Sequence, residues 1–351
     1  TYVEGGVIKY ADEHQARFEK EGLLIEESRT NLLKYSEQFD DSLWVNPVSR
    51  ATVTPDQATA PDGTLTADLV TSTTSGSVVL YQAVPVAGST TYTFSFWAKN
   101  NGGTRADYRI YSPQAGDIVP INTSYFNQLS DTEFRRITLT FTTPPPTTSI
   151  YVYPLAGTSV PVNANNIYLW GAQLEENASF PTSYIPTAGS TVTRSPDIAQ
   201  ITGDNFSSWY NQSEGTVVTK MTDNGEPNTT DNRVIYYLGT GLSSGNNRII
   251  TTTGSAFGAY VQTTGAQVSI TGGWYAKGVE TVGAFAFKQD NFDLATDGVI
   301  RGTDNLGDLP TCNRLYLLMN RNKANTLCGH ISRLSYYPRR LTDSALQTLT
   351  L

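Results

Sequence analysis

Aromatic side chains recur at alternate positions along several apolar segments of the 351-residue chain. Residues 92–98 read Tyr-Thr-Phe-Ser-Phe-Trp-Ala, so Trp97 falls on the face opposite the apolar side chains. Tyr151 and Tyr153 alternate with isoleucine and valine in the same way. Sugar rings stack their C–H faces on aromatic side chains, and their hydroxyls bind polar groups at the ring edge. The predicted carbohydrate platform consists of Trp97, Tyr81, Tyr151 and Tyr153, with Gln82, Asn100 or Arg109 as polar partners.

The same aromatic face has a second interpretation. Its rings could equally pack under loops or against a neighbouring subunit, because aromatic residues are enriched at protein interfaces. The sequence leaves both interpretations open. Trp274-Tyr275, which follows a Gly-Gly pair, is a weaker candidate for an aromatic loop tip.

Few residues could support catalysis. Of the two histidines, His14 lies in a polar segment and is expected in solvent, and His330 is expected to make a structural hydrogen bond. Glycoside hydrolysis needs two carboxylates about 5–10 Å apart. Glutamates are adjacent at 26–27 and at 175–176. Adjacent residues on a strand point to opposite faces, so neither doublet forms such a pair by itself. We therefore expect a protein that is not an enzyme, with a carbohydrate-active hydrolase as the remaining alternative.

The composition excludes several classes of partner. The chain has 24 Lys and Arg against 32 Asp and Glu, a net charge of -8, so nucleic acid is not an expected partner. The chain has no run of about 18 apolar residues, so a membrane-spanning helix is not expected. Cys312 and Cys328 are expected as buried thiols, although one bridge between them is conceivable. The histidines and cysteines lack zinc spacing, and no cofactor is expected.

Short runs of alternating polarity separated by turn-forming segments extend along most of the chain. Charged residues make up only 16% of it, and no long helical pattern interrupts these runs. This spacing predicts an all-β protein with two β-sandwich (jelly-roll) domains in tandem. At the C-terminus, Thr342 is a predicted N-cap, and Ala345, Leu346 and Leu349 recur at helical spacing, which predicts a short C-terminal helix.

The strand spacing restarts after Pro186, and the domain boundary is predicted there. The predicted ranges are 1–22 for an N-terminal connecting segment, 23–186 for the first sandwich, 187–194 for a linker and 195–351 for the second sandwich with the C-terminal helix.

Residues 1–8 (Thr-Tyr-Val-Glu-Gly-Gly-Val-Ile), the Arg-Phe pair at 17–18 and the stretch 22–33 (Gly-Leu-Leu-Ile-Glu-Glu-Ser-Arg-Thr-Asn-Leu-Leu) form a distinctive N-terminal pattern. It resembles the signature of a modular family of bacteriophage virion proteins, found in tail, fibre and head-decoration components. In that family an Arg-Ala-Ser-like segment precedes the Tyr-Val, and this sequence lacks it. We therefore expect these 351 residues to be part of a longer product.

Motifs further along the chain resemble the modules of that family. Residues 92–99, 170–175 and 181–186 are similar to a carbohydrate-binding-module jelly roll. Residues 205–215 and 329–343 are similar to a concanavalin-A-like (laminin-G-like) sandwich. The resemblance implies the fold more strongly than the function, because one fold hosts many functions.

The resemblance also implies partners and a location. It implies a protein of the phage particle surface, in a tail or head fibre, that binds bacterial surface polysaccharide and other virion proteins. A homo-oligomer is expected; trimers are common in phage fibres, although no heptad repeat here would enforce one. Related jelly rolls often hold a structural calcium near the chain ends, where Glu26 or Glu175 is the hypothetical ligand. The alternative is a structural decoration or adaptor protein that packs against capsid, tail or sister subunits.

Overall fold

The computed structural model describes residues 1–47, 50–224, 233–240, 247–253, 256–263, 266–273, 276–317 and 328–351. The chain forms two compact units. The first unit comprises Thr1–Asp12 and Arg29–Arg194, and the second comprises Glu13–Ser28 and Ser195–Leu351. No helix among the described residues is long and apolar enough to cross a membrane.

The described secondary structure is almost entirely β. In chain order the first strands are β1 (Tyr2–Glu4), β2 (Val7–Lys9), β3 (Phe18–Glu19), β4 (Gly22–Ile25), β5 (Arg29–Asn31), β6 (Ala51–Thr59), β7 (Leu65–Ser72), β8 (Gly76–Pro85), β9 (Thr91–Asn100), β10 (Asp107–Ser112), β11 (Gly116–Ser124), β12 (Arg135–Thr142), β13 (Ser149–Val160), β14 (Asn166–Glu176) and β15 (Val192–Arg194). The later strands are β16 (Ala199–Thr202), β17 (Glu214–Asp223), β18 (Arg233–Gly239), β19 (Arg248–Thr253), β20 (Gly258–Gln262), β21 (Ala266–Thr271), β22 (Glu280–Lys288), β23 (Asn291–Thr296), β24 (Val299–Asp304), β25 (Arg314–Leu317) and β26 (Gly329–Tyr337). The helical segments are a 3-10 turn (Phe126–Gln128), α1 (Asp204–Ser207) and α2 (Asp343–Leu349).

The first unit is a sandwich of antiparallel sheets with the strand orders β11-β10-β13-β8 and β12-β9-β14-β7-β6. From β7 to β14 the chain changes sheet at each connection except the β10–β11 hairpin, which gives the jelly-roll arrangement. The two inner faces share one core, in which Phe94 and Phe96 of one sheet pack with Ile150 and Val152 of the other. Small two-stranded sheets, β1-β2 and β15-β5, complete the unit.

The second unit is also an antiparallel sandwich, in which sheet β16-β25-β18-β19-β20-β21 packs against sheet β24-β23-β22-β17-β26-β4-β3. Its core contains Tyr236 and Ile249 from the first of these sheets and Phe285, Phe287 and Phe292 from the second. The described residues thus confirm the all-β class and the predicted sandwich fold.

The C-terminal helix α2 is confirmed with the predicted cap. The hydroxyl of Thr342 accepts a hydrogen bond from the backbone N–H of Ala345 at 3.3 Å, which satisfies one of the open donors of the first turn. Leu346 is fully buried against Ala284, Ala286 and other small side chains of the second sandwich. Burial of this apolar side of the helix attaches the chain end to the second unit.

The observed units differ from the predicted ranges at the N-terminal side. The prediction placed 1–22 in a connecting segment and began the first sandwich at residue 23. In the structure, β3 and β4 belong to the second unit, because the backbone of β4 pairs with β26. Periodicity within a segment shows that it is a strand but not which strand it pairs with, so this distant pairing lay beyond sequence reasoning. Within 187–194, β15 pairs with β5 of the first unit.

A buried carboxylate makes the stability of the first unit depend on pH. The side chain of Asp68 is 1% exposed and accepts hydrogen bonds from the backbone N–H groups of Phe39 and Asp56. Burial raises the pKa of Asp68 to about 7, although these hydrogen bonds lower it. The unfolded carboxyl titrates near its ordinary value of about 4. The folded chain therefore binds more protons between these values, and stability falls as the pH rises from about 4 to about 7.

We expect Asp68→Asn to flatten this pH dependence, because the amide cannot titrate. Urea unfolding of the wild type and the variant at several values between pH 4 and pH 8 measures the difference in slope. Glu37, whose pKa burial also raises, keeps part of the slope in the variant. Asp131→Asn, in an exposed loop of the same unit, is the control and should leave the slope unchanged. Equal slopes for the wild type and Asp68→Asn would contradict the prediction.

Candidate functional site

Four tyrosines and an arginine form a continuous cluster on the outer face of the sheet β11-β10-β13-β8. Tyr81 stacks on Tyr151 with 4.9 Å between ring centroids and 14° between ring planes. Its ring also lies 4.9 Å from that of Tyr153, and Tyr111 lies 5.9 Å from Tyr151. The guanidinium of Arg109 lies over Tyr111 and Tyr153, at 4.6 and 5.5 Å from their centroids. We call these five residues the tyrosine platform.

Strand register places the members of the platform next to one another. In the antiparallel pair β10–β13, Arg109 is opposite Tyr153, and Tyr111 is opposite Tyr151. Between β13 and β8, a bulge occurs after Val152, next to Tyr153. Pro154, which cannot donate a ladder hydrogen bond, lies within that bulge. Tyr81 then approaches both β13 tyrosines from the neighbouring strand.

Asp117 adds the charge that balances the arginine. Both Nε and a terminal nitrogen of Arg109 lie 2.6 Å from Oδ1 of Asp117. Asp117 is opposite Tyr111 because a tight hairpin joins β10 to β11. In that hairpin, Gly116 has a φ of 81°, which costs glycine little, and the Ser112 hydroxyl accepts hydrogen bonds from the loop backbone. The platform therefore carries a neutral ion pair at one side.

The members of the platform have different roles because they differ in exposure. Tyr81, Tyr111 and Tyr151 are partly exposed, whereas Tyr153 is only 5% exposed. Burial raises the pKa of Tyr153 to about 12, and the positive charge of Arg109 opposes that increase. Tyr153 is therefore a neutral phenol at physiological pH and supports the rings above it. The partly exposed rings provide the surface on which a ligand can stack.

Trp97, which was predicted as part of the same platform, lies elsewhere. It belongs to β9 of the opposite sheet, and its ring makes edge contacts with Trp170 at 5.4 Å and with Tyr184 at 5.5 Å. The Arg136 guanidinium covers the ring at 4.4 Å from its centroid. Alternation identifies Trp97 as outward-facing, but a sandwich has two outer faces, and the chain packs over this one.

The other predicted polar partners also lie away from the tyrosine platform. Gln82 points inward, where its amide accepts from the Lys34 backbone N–H and donates to the Lys34 carbonyl, each at 2.8 Å. Asn100 is on β9 and binds Asp131 and the backbone of Gly103. Of the predicted site residues, the structure brings together Tyr81, Tyr151, Tyr153 and Arg109. Trp274 and Tyr275 lie outside the described residues.

The predicted calcium ligands are already hydrogen bonded. Glu26 accepts a hydrogen bond from Arg17 at 2.8 Å, and both side chains are more than nine-tenths buried. Glu175 accepts hydrogen bonds from the backbone and hydroxyl of Thr182. These partners account for the placement of both glutamates without an ion. The structure thus gives the calcium hypothesis no additional support.

The histidines and cysteines belong to the second unit. His330 makes the expected side-chain hydrogen bond, with 2.9 Å between its Nε2 and Oε2 of Glu19. His14 is exposed. Cys312 and Cys328 are buried thiols that are not bonded to each other.

Sequence reasoning missed Tyr111 and Asp117. The signal for Tyr111 was available, because it lies two residues after Arg109 in a predicted strand and therefore on the same face. No comparable signal existed for Asp117. Its place opposite Tyr111 depends on the loop length and register of the β10–β11 hairpin.

Comparisons with solved structures return carbohydrate-binding modules and laminin-G domains. The chain is similar to the CBM40 module of the Ruminococcus gnavus IT-sialidase bound to alpha2,3 sialyllactose, with 16% identity and a TM-score of 0.34 over 40% of this chain and 84% of that one. The CBM22-1-CBM22-2 tandem domain of Paenibacillus barcinonensis Xyn10C has 11% identity and a TM-score of 0.32, over 88% of this chain and 97% of that one. Mouse laminin alpha1 domains LG4-5 have 9% identity and a TM-score of 0.32, with 96% of each chain covered.

These likenesses concern the β-sandwich fold. At such identities and TM-scores they carry no argument about ligand or activity. No protein-family model matches the sequence, and no curated protein matches it.

The surroundings of Trp97 predict a structural role for this residue. We expect Trp97→Ala to lower the free energy of unfolding by about 3 kcal/mol, because the contacts with Trp170, Tyr184 and Arg136 are lost. This is the lower end for such a replacement, because Trp97 is only partly buried. Denaturant unfolding followed by circular dichroism measures the change. Trp97→Phe, which keeps an aromatic ring there, should cost less. Unchanged stability in Trp97→Ala would show that these contacts are not made.

Proposed function

We propose that the tyrosine platform binds a neutral glycan of the bacterial cell surface and does not hydrolyse it. The stacked, partly exposed rings of Tyr81 and Tyr151 are the observation that carries this proposal. Stacking on the C–H face of a sugar ring needs a preformed aromatic surface that loses little side-chain freedom on binding. The mutual packing of the platform residues provides that rigidity.

The charges of the platform favour a neutral ligand. Arg109 is paired with Asp117, and its guanidinium is held over two tyrosine rings. A free arginine would attract an acidic sugar, whereas here the adjacent carboxylate cancels that charge and repels anions. The Asp117 side chain is 35% exposed, so its oxygens can accept hydrogen bonds from sugar hydroxyls at the edge of the platform.

The proposed biological setting is the surface of a phage particle. The resemblance of residues 1–33 to the signature of phage virion proteins supports a protein of the phage particle surface that attaches the particle to its host. A shallow surface gives weak affinity for each site. Several copies on one particle would raise the overall affinity through multivalency.

Replacement of an exposed platform ring tests the binding site. We expect Tyr151→Ala to weaken binding to a neutral bacterial polysaccharide about tenfold, which corresponds to about 1.4 kcal/mol. The partner of Tyr81 and one stacking surface are lost in this variant. A polysaccharide array identifies the ligand, calorimetry measures the affinities, and a reducing-end assay is expected to show no cleavage.

Tyr168→Ala is the matched control, because Tyr168 is a partly exposed tyrosine on the opposite sheet of the same sandwich. It should bind as the wild type does. Circular dichroism establishes that both variants are folded. The proposal fails if the wild type binds no neutral polysaccharide, or if Tyr151→Ala and Tyr168→Ala bind equally well.

A structural adaptor is the second candidate function, because the same aromatic face would also suit a protein interface. In that case the platform would be covered by a sister subunit or another virion protein. Mass measurement in solution distinguishes the two functions. A monomer whose Tyr151→Ala variant loses polysaccharide binding supports the glycan site, whereas an oligomer that Tyr151→Ala dissociates supports the adaptor.

A further inference from the structure

We propose that Glu19, Glu21 and His330 of the second unit form a binding site for a divalent transition-metal ion, with Zn²⁺ as the best fit. One ligand atom from each side chain lies within 4.8 Å of the other two. The nearest pair, His330 Nε2 and Glu19 Oε2, is 2.9 Å apart. This site differs from the predicted calcium positions and does not depend on the tyrosine platform.

Local backbone pairing brings the three side chains together. Glu19 pairs with Gly22 in the β3–β4 hairpin, so the two residues between them, including Glu21, form its turn. Strand β4 then pairs with β26, which places His330 opposite Leu24.

Gly22 makes this close approach possible. It has a φ of 128°, and a Cβ atom there would lie 2.4 Å from the carbonyl oxygen of Ile331. Any larger residue would force the hairpin away from β26 and separate Glu19 from His330. The sequence therefore has glycine where the backbone of the hairpin approaches Ile331 of the strand that carries the histidine.

The donor set favours a transition metal over calcium. The three side chains offer one imidazole nitrogen and two carboxylate oxygens. With water as the fourth ligand, this set matches the coordination of an open zinc site. In a tetrahedral zinc site the ligand atoms lie about 3.3 Å apart, given bonds of about 2.0–2.1 Å. One pair of ligand atoms is 2.9 Å apart and the other pairs are at most 4.8 Å apart, so small side-chain rotations bring all three to this value. Calcium prefers six to eight oxygen ligands, which this cluster does not supply.

The burial of the cluster suits an accessible ion. His330 is 8% exposed, so its ring is held by the sheet, whereas Glu21 is exposed at the turn and leaves one side open to solvent. A hydrogen bond between His330 and Glu19 accounts for two of the three residues. That hydrogen bond does not explain why the Glu21 carboxylate also lies within 4.8 Å of both. Two carboxylates beside one imidazole also give the cluster the negative charge that attracts a cation.

Zinc titration of the 351-residue chain, stripped of metal with a chelator, tests the site. The chain has only two histidines, so ring resonances in the NMR spectrum report on each one separately. We expect Zn²⁺ to shift the His330 resonances and leave those of the exposed His14 unchanged at one equivalent. Calorimetry should give one site per chain, and the melting temperature should rise because the ion binds the folded state. Ca²⁺ should bind more weakly.

Matched variants separate a metal site from a structural pair. His330→Gln should abolish the tight zinc site, and Glu21→Gln should weaken it at least about tenfold. His14→Gln is the control and should bind zinc as the wild type does. Because Glu21 is exposed, its variant keeps the test valid even if His330→Gln does not fold. The proposal is overturned if zinc does not move the His330 resonances, if Glu21→Gln binds as the wild type does, or if Ca²⁺ binds more tightly.

Discussion

The alternation of side chains across each antiparallel strand is the constraint on which the structure depends. Successive residues point to opposite faces, so a strand that contributes to a core must also present every second residue outward. On β13, Ile150 and Val152 are buried in the core, while Tyr151 and Tyr153 lie on the outer face. The same strands therefore form the core with their inner faces and the candidate site with their outer faces. Packing of the inner face in the core holds the outer face rigid.

The two outer faces of the first sandwich have different surroundings. Over β9 and β14, the segment that carries Tyr184 packs on the sheet, Trp170 is buried in a satellite core, and the partly buried Trp97 packs against that core. Over β10 and β13, the tyrosine rings remain partly exposed and are ordered by one another and by Arg109. Both faces are aromatic, so aromatic content alone does not distinguish a structural cluster from a binding surface. The decisive factor is whether another part of the chain covers the face.

The second sandwich contains a pairing between two strands that are far apart in the sequence, β4 and β26. Glu19 and His330 are 311 positions apart and are joined by a hydrogen bond, because β4 adds to the sheet beside β26. Arg17 and Glu26 form a buried ion pair in the same segment, with Asp197 as a further partner. Burial of such charges is tolerated only when they are paired, so this segment is held in a defined position on the sandwich.

The sequence by itself determined the β class, the two sandwiches, the capped C-terminal helix, and which aromatic residues point away from the core. These properties follow from local periodicity and from local hydrogen bonding by Thr342. Four of the predicted site residues, Tyr81, Tyr151, Tyr153 and Arg109, also lie in one cluster. Only the tertiary structure decided that Trp97 packs in a separate cluster with Trp170 and Tyr184, that Asp117 balances Arg109, and that β3 and β4 join the second unit. These outcomes depend on strand register and on pairings between distant segments, which a pattern of period two within one strand does not encode.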